Sequence, residues 1–340
     1  MRASSRWLLG LLSLLVLLAF VADLATGSVP IPLGATVTVL LGGEVADPGW
    51  SSILLDLRMP RAITAALAGA ALSVAGLLMQ TFFRNPVAGP FVLGISSGAS
   101  LGVALVVLGG SAGVLGVAGS LGNVAAAILG AGAVLALVVA AARFVPTLTL
   151  LILGVLFGYA ATALVSILLR FASPESVQGY VIWTQGEFGG VSWNDLGLLA
   201  PVLAVGLAMG FAAVKPLNAL LLGEAYARSM GVEVQRARLW LIAATALLAG
   251  AVTAFCGPIG FLGVAVPHLG RGLLHTTDHR PLLPAVALLG ATLALVADIV
   301  AQVPGSPMAL PLNAITALLG APVVIWVIVS RRALRDSGAV

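Results

Sequence analysis

Long apolar stretches separated by short polar segments occupy most of this chain. A helix that crosses a membrane needs about 20 consecutive, mostly apolar residues, because the hydrocarbon layer is about 30 Å thick. The pattern therefore predicts about ten such helices. They lie at residues 7–25, 62–80, 91–108, 121–142, 148–169, 196–214, 239–255, 259–266, 282–303 and 308–329.

Two of these stretches are unusual. The first follows Arg2 and Arg6 and so also resembles a secretory signal peptide, but the many later crossings favour a retained helix. The stretch at 259–266 is too short to span a membrane alone. Because Pro258 and Pro267 flank it, we expect a broken or half helix that is buried in protein.

The composition agrees with a membrane protein. The 340 residues are 60% hydrophobic and 8% charged, whereas a soluble domain carries about 25% charged residues. Too few charges remain to cover a water-facing surface of this size, and the 41 glycines would let helices approach closely. The predicted fold class is an all-α membrane protein with a single transmembrane domain over residues 1–340.

The basic residues predict the topology, because they are enriched in the cytoplasmic loops of membrane proteins. With the N-terminus in the cytoplasm, thirteen of the sixteen fall inside: Arg2, Arg6, Arg84, Arg143, Lys215, Arg228, Arg236, Arg238, Arg271, Arg280, Arg331, Arg332 and Arg335. Arg58, Arg61 and Arg170 fall outside. We expect a multi-pass protein with both termini in the cytoplasm. The net charge of +4 reflects this distribution of basic residues between the two membrane faces and does not indicate nucleic-acid binding.

An internal repeat relates the second and seventh predicted helices. Residues 67–70 are Leu-Ala-Gly-Ala, with Gly76 seven positions after the glycine, and residues 248–251 are the same, with Gly257 in the matching place. A Gly-Pro pair follows each helix. Five crossings separate the two, so helices 2–5 and 7–10 would form an inverted repeat, which is common in transporters.

Two loops carry further information. The outer segment 172–194 holds Trp183, Phe188 and Trp193, which predict an interfacial helix with aromatic anchors. The inner segment 215–238 predicts a pair of short amphipathic helices, because residues 220–230 have helical apolar spacing and Gly231 suits a helix C-cap. Glu224 and Arg228, four residues apart, would form a stabilising pair. An apolar face exposed to the cytoplasm favours a docking surface for a cytosolic partner over a solvated connector.

The candidate chemistry is sparse. Asp298 is an acid inside a predicted span and so a functional candidate, although its place near the outer end fits a pairing or capping role equally well. His268, His275 and His279 lack the spacing of a zinc motif, so no metal or other cofactor is predicted. Cys256 is the single cysteine and cannot form an intramolecular disulfide.

Two enzyme motifs are absent or out of context. Lys215 is the single lysine and Pro216 follows it, so the chain has no phosphate-binding P-loop, and ATP-driven action needs a separate subunit. Gly94 to Gly98 match the G-x-S-x-G pattern of hydrolases, but no strand–turn–helix context is predicted there. The chain is therefore not expected to be an enzyme.

Several motifs, in order and spacing, resemble the FecCD-like permease subunits of ABC importers for iron–siderophores, haem and cobalamin. The resemblance covers nearly the whole chain from about residue 57. It includes R-x-P-R at Arg58 to Arg61 and the coupling-like segment from Leu217 to Gly231. The remaining motif positions, expected to serve structure or the pathway, are Gln80, Arg84, Asn85, Pro86, Pro90, Gly94, Gly257, Pro258, Pro267, His268, Arg271 and Asp298.

The resemblance implies a fold of ten helices and a set of partners. These are a second permease subunit, identical or different, two cytosolic ATPases, a substrate-binding protein outside the cytoplasm, and the lipid of the cell inner membrane. Arg58 and Arg61 would dock acidic residues of the binding protein. The residues that would receive the ATPase stroke are Leu217, Asn218, Leu221, Leu222, Gly223, Glu224, Tyr226, Ala227, Met230 and Gly231.

The chain departs from the family pattern at Gln302, where an arginine is usual, and at Ala309, where a glutamate is usual. Both changes remove charge from the outer end and leave the docking scheme partly open. The motifs do not identify the ligand among siderophore, haem and cobalamin. An ion-gradient-driven secondary transporter stays as the alternative, since an inverted repeat also occurs there.

Overall fold

The computed structural model describes residues 3–45, 47–109, 120–142, 144–303 and 309–336, and these residues form helices and loops without strands. In chain order the helices are α1 (Ala3–Ala25), α2 (Leu33–Leu40), α3 (Pro48–Ser52), α4 (Met59–Phe82), α5 (Ile95–Val107), α6 (Ser120–Ala141), α7 (Thr147–Phe171), α8 (Pro174–Gln185), α9 (Trp193–Ala212), α10 (Val214–Leu220), α11 (Glu224–Ser229), α12 (Val234–Cys256), α13 (Leu262–Leu274), α14 (His279–Ala301) and α15 (Leu312–Asp336). A π-helical turn, Ile53–Arg58, leads into α4, and a 3₁₀ turn, Pro90–Leu93, leads into α5.

Seven helical stretches of the described chain are long and apolar enough to cross a membrane: Arg6–Ala25, Pro48–Phe82, Gly122–Ala141, Thr147–Phe171, Trp193–Ala212, Val234–Cys256 and His279–Ala301. Two shorter apolar helices, Ile95–Val107 and Leu312–Ile325, coincide with two further predicted stretches. These findings confirm an all-α membrane fold, while about ten crossings stays a prediction. Among the residues used for topology, Arg2 and Arg143 lie outside the described part of the chain.

The centre of the bundle is formed by α4 and α12, the two helices of the predicted repeat. Most residues of both are buried, whereas about a fifth of the residues of α6 and α7 are buried. Ala, Gly and Ser on α4 let neighbouring backbones approach closely. The exposed apolar faces of the outer helices are suited to lipid or to another subunit.

The closest helix contact joins α4 to α13. A Cβ atom added to Gly76 would overlap the backbone carbonyl of Gly263. Pro267 has no N–H, so it leaves that same carbonyl without its helical hydrogen-bond donor. The freed carbonyl therefore packs directly on the glycine of the central helix.

Gly76→Ala is expected to destabilise the protein by about 3 kcal/mol, the upper part of the usual range for overpacking, because backbone must move to admit the methyl group. The matched control is Gly272→Ala in α13, where an added Cβ meets nothing within 4 Å. Thermal unfolding of the purified protein checks this. Equal unfolding temperatures for the two variants would contradict the close approach.

Each Gly-Pro pair of the repeat is followed by a short turn and then a helix of equal length. After Pro90 a 3₁₀ turn leads into α5, and after Pro258 a non-helical turn leads into α13; both helices have 13 residues. This correspondence supports the inverted repeat. The short stretch predicted at 259–266 is corrected, since the helix starts at Leu262 and continues through Pro267 to Leu274. Pro267 does not end it, because the carbonyl four residues earlier packs on α4 instead.

The outer segment contains the predicted helix, α8, whose N-terminus Ser173 caps. One predicted anchor is wrong: Phe188 is completely buried in the protein core. The chain turns back at Gly186, where φ is +73°, and the Glu187 N–H donates to the Cys256 carbonyl at 2.9 Å. This turn carries Phe188 inward, whereas Trp193 is half exposed and donates to the Leu55 carbonyl.

Candidate functional site

Two polar regions lie at opposite ends of α14. Asp278 precedes the helix and Asp298 lies 20 residues later, which corresponds to roughly 30 Å along an α-helix. The first region, which we call the coupling end, contains α10, α11 and the start of α14. The second, which we call the arginine end, contains Arg58, Arg61 and Asp298. Their separation is about one membrane thickness.

The predicted pair of short helices is present at the coupling end as α10 and α11. Gly223, with φ at +105°, makes the turn between them, and Gly231, with φ at +82°, follows the end of α11. Glu224 and Arg228 form the expected pair one turn apart, at 3.5 Å. The local structure predicted from spacing is thus confirmed.

The predicted coupling residues differ in exposure. Leu222, Tyr226 and Met230 are 61%, 54% and 59% exposed and form an apolar surface that a partner could cover. Leu217 and Ala227 are completely buried and hold α10 and α11 against the bundle instead. The three exposed side chains therefore offer a cytosolic subunit more apolar surface than the buried ones.

Asn218 fixes α10 to the start of α14. Its Nδ2 donates to Asp278 Oδ1 at 2.7 Å, and its Oδ1 accepts from the His279 N–H at 2.9 Å. The His279 ring continues the cluster, with Nε2 2.9 Å from Thr81 Oγ1 at the end of α4. The Arg280 N–H, which donates to Asp278, lowers the pKa of that carboxyl below its ordinary value, and the Asn218 amide adds to this. A charged Asp278 suits the N-terminus of α14.

Glu224 fixes α11 to the start of α7. The Thr147 hydroxyl donates to Glu224 Oε1 at 2.6 Å and accepts from Arg238 Nη2 at 2.8 Å. Arg238 also donates to the carbonyls of Ala142 and Val145, and its guanidinium lies 5.9 Å from the Phe82 ring centroid. Sequence reasoning missed Thr147 and used Arg238 only as an inner charge. The available signal in the sequence was Arg238 itself, a basic residue inside the apolar helix α12.

The family-motif residues join the end of α4 to α13. Gln80 Oε1 accepts from Arg271 Nη1 at 2.6 Å, and Gln80 Nε2 donates to the Val264 carbonyl at 3.1 Å. The His268 ring Nε2 lies 2.8 Å from the Pro86 carbonyl. These bonds give the motif a structural role at the inner end, and a role in the pathway stays a prediction.

The other motif positions are turns and close contacts. Asn85 Oδ1 accepts from the Val87 N–H, and the side chain of Arg84 is exposed. Gly94 and Gly257 have positive φ and lie against the backbones of Gly154 and Trp183. The first of these begins α5, so the G-x-S-x-G segment is the start of a helix and not a strand-to-helix elbow.

The three histidines have different structural roles. His268 and His279 belong to the bonds described above, and His275 ends α13 in the left-handed conformation. Within the described ranges, no group of three or more His, Cys, Asp or Glu residues is arranged to hold a metal ion.

The arginine end is organised by one buried ion pair. Arg61 Nε and Nη2 donate to the two oxygens of Asp298 at 2.7 and 2.9 Å, and Asp298 is 1% exposed. Gln302 Nε2 donates both to Asp298 and to Asp23 of α1. The predicted pairing role of Asp298 is confirmed. The participation of Asp23 was missed, because nothing in the local sequence relates α1 to α14.

Arg58 has a different environment from Arg61. It is 8% exposed and donates to the carbonyl of Leu24, in the last turn of α1, and to that of Val29, beyond the end of α1. A cavity of about 600 Å³ opens beside both arginines and is also lined by Gln302 and Ala309, the positions that depart from the family pattern. Docking by Arg58 and Arg61 stays a prediction, and both already have partners within this chain.

Comparison with known proteins extends over the whole chain. Residues 14–330 match the model of the FecCD transport family. The vitamin B12 import system permease protein BtuC of Shigella boydii serotype 18 is 38% identical over 335 residues, which is 97% of each chain. BtuC of Escherichia coli O127:H6 is 37% identical over 331 residues, 96% of each.

A solved structure agrees with these relatives. A chain described as a metal-chelate type ABC transporter in an inward-facing conformation superimposes with a TM-score of 0.84 at 30% identity. The match covers 95% of this chain and 98% of that one. By sequence and by fold, this chain belongs to the FecCD transport family.

Proposed function

We propose that this chain is the transmembrane permease subunit of an ATP-driven importer that moves cobalamin, or a metal chelate of similar size, into the cytoplasm. The observation that carries the proposal is the match to BtuC over 97% of both chains at 38% identity. Iron–siderophore and haem ligands are the remaining candidates. The exposed apolar surface of the coupling end favours an ATPase-driven importer over an ion-gradient-driven transporter.

In this proposal the chain supplies the pathway and other subunits supply energy and ligand. Residues 1–340 act as one permease domain in the cell inner membrane, with both termini in the cytoplasm. Two ATPase subunits bind below residues 215–238, and a second permease subunit, identical or different, packs alongside. The outer segment 172–194 lies at the opposite membrane surface.

The arginine end is the proposed docking place for the binding protein. Arg61 lines an open cavity beside the exposed Asp56 and Gly189, and its position on the far side from the coupling end suits docking outside the cytoplasm. Because Arg58 and Arg61 have internal partners, they would act by turning toward acidic residues of the binding protein as it binds. Such contacts steer encounter and set register.

Reconstitution tests the proposed function. The permease, its two ATPases and its binding protein are placed in liposomes, and uptake of labelled cobalamin, ferric siderophore and haem is measured. We expect uptake of one ligand class to require ATP and the ATPase subunits. Uptake without ATPase subunits, driven by a proton or sodium gradient, would instead support the secondary transporter.

A further inference from the structure

We infer that the coupling end works through two arms with different tasks: α10 is a fixed anchor, and α11 moves α7 through the hydroxyl of Thr147. The inference rests on the proposed function, because it concerns how an ATPase stroke would enter the bundle. It assigns a positioning role to Thr147, which makes contact with α11 but is itself the first residue of α7.

The anchor arm ends on the closely packed pair of helices α4 and α14. Asn218 of α10 holds Asp278 and His279, and His279 reaches Thr81 on α4. The helices α4 and α14 are interlocked, since a Cβ added to Gly69 or to Gly290 would overlap the backbone of the other helix. An element tied to this pair cannot shift without disturbing the packed centre.

The driving arm ends on a loosely packed helix. Of the 25 residues of α7, Leu150, Gly154, Ala161 and Val165 are buried, whereas α4 is buried along most of its length. Regions with few buried apolar contacts open and shift at lower free energy than packed cores. A displacement applied to the first residue of α7 is therefore transmitted along a helix whose close backbone contact within this chain is at Gly154, against Val92 and Leu93.

The hydroxyl of Thr147 is suited to the joint because it is both donor and acceptor. It donates to the Glu224 carboxylate of α11 and accepts from the Arg238 guanidinium of α12. Hydrogen bonds to charged groups are about twice as strong as neutral ones. Thr147 thus joins α11 to the start of α7 on one side and to the bundle centre on the other, so movement of α11 changes the angle of α7.

The test compares Thr147→Val, which has the same shape without the hydroxyl, with Thr147→Ser, which keeps the hydroxyl. The full complex in liposomes gives two readouts, the affinity for the ATPase subunits and the ligand taken up per ATP hydrolysed. Thr147→Val is expected to keep the affinity within about twofold and to lower uptake per ATP roughly tenfold, corresponding to about 1.4 kcal/mol. Thr147→Ser is expected to match the unmodified chain.

Thr149→Val is the matched control, since Thr149 lies two residues along α7 and its side chain takes no part in this joint. If Thr147→Val does not fold, Glu224→Leu tests the same hydrogen bond from the α11 side. Its control is Glu233→Leu, at an exposed position. Thr81→Val tests the anchor, because it removes the bond to His279: we expect a lower unfolding temperature with unchanged uptake per ATP.

A native uptake-to-ATP ratio in both Thr147→Val and Glu224→Leu would overturn the inference, as would equal losses in Thr147→Val and Thr147→Ser. So would a lowered ratio in Thr81→Val at unchanged stability. These outcomes leave the proposed function intact. Absence of ATP-dependent uptake by the unmodified complex would instead refute the proposed function, and the inference with it.

Discussion

Replacing Asp298 with leucine is expected to destabilise the protein by about 3 kcal/mol, the lower part of the range for breaking a buried ion pair. Asp298 is 1% exposed and accepts two bonds from Arg61. Its loss leaves a guanidinium in low-dielectric surroundings without a counter-charge. The adjoining cavity lets water reach part of Arg61, whose side chain is 25% exposed, and this limits the cost.

Thermal unfolding of the purified protein in detergent measures the effect. Arg61→Leu is expected to be at least as damaging, because it leaves the buried carboxylate of Asp298 without the cation that donates to it. The double variant Arg61→Leu/Asp298→Leu should recover part of the loss, as apolar pairs often replace buried ion pairs well. Asp56→Leu, an exposed acid on the rim of the same cavity, is the control. Equal stability of Asp56→Leu and Asp298→Leu would refute a structural pair.

The double variant also separates structure from docking. If Arg61 contacts the binding protein, the Arg61→Leu/Asp298→Leu variant should dock more weakly even when its unfolding temperature is close to that of the unmodified protein. The loss should shrink at high salt, because salt screens interactions between charges exposed at a surface. Docking that does not depend on Arg61 at any salt concentration would remove this residue from the proposed docking surface.

The sequence was sufficient wherever a local pattern determines the structure. Apolar length predicted the spans, and the placement of glycine and of charges four residues apart predicted α10 and α11. The Arg61 pairing of Asp298 was foreseen only as a possibility, because the acid sits near a helix end. In each case the determining residues are close together in the chain, where helical periodicity makes them visible.

The sequence was insufficient where distant segments meet. Thr147 and Glu224 are 77 positions apart, and Gln302 and Asp23 are 279 apart. Neither pair has a spacing that a helix would repeat. Phe188 was misplaced for a related reason: an aromatic residue in an outer loop usually marks the membrane surface, and only the backbone turn at Gly186 directs it into the core. The predicted helix also ended too early, at Pro267. The sequence does not show that the carbonyl left without a donor by Pro267 packs on a different helix.

Replacing Leu222 and Tyr226 together with aspartate is expected to abolish binding of the ATPase subunits. The two side chains are 61% and 54% exposed at the coupling end, and a tyrosine at the centre of an interface is often a hot spot that contributes about 2 kcal/mol or more. Burying a carboxylate in place of each adds a desolvation penalty. We expect affinity to fall at least about 100-fold, since every 1.4 kcal/mol is a factor of ten.

Co-purification with the ATPase subunits gives the first measurement and a titration in lipid nanodiscs gives the affinity. Leu41→Asp is the matched control, because Leu41 is 82% exposed but belongs to the segment after α2, before the arginine end. It should leave ATPase binding unchanged. A buried coupling residue should affect stability rather than binding alone. Ala227→Asp is expected to lower the stability of the protein, because Ala227 is completely buried. Retention of the ATPases by the Leu222→Asp/Tyr226→Asp variant would show that energy enters this permease at another surface.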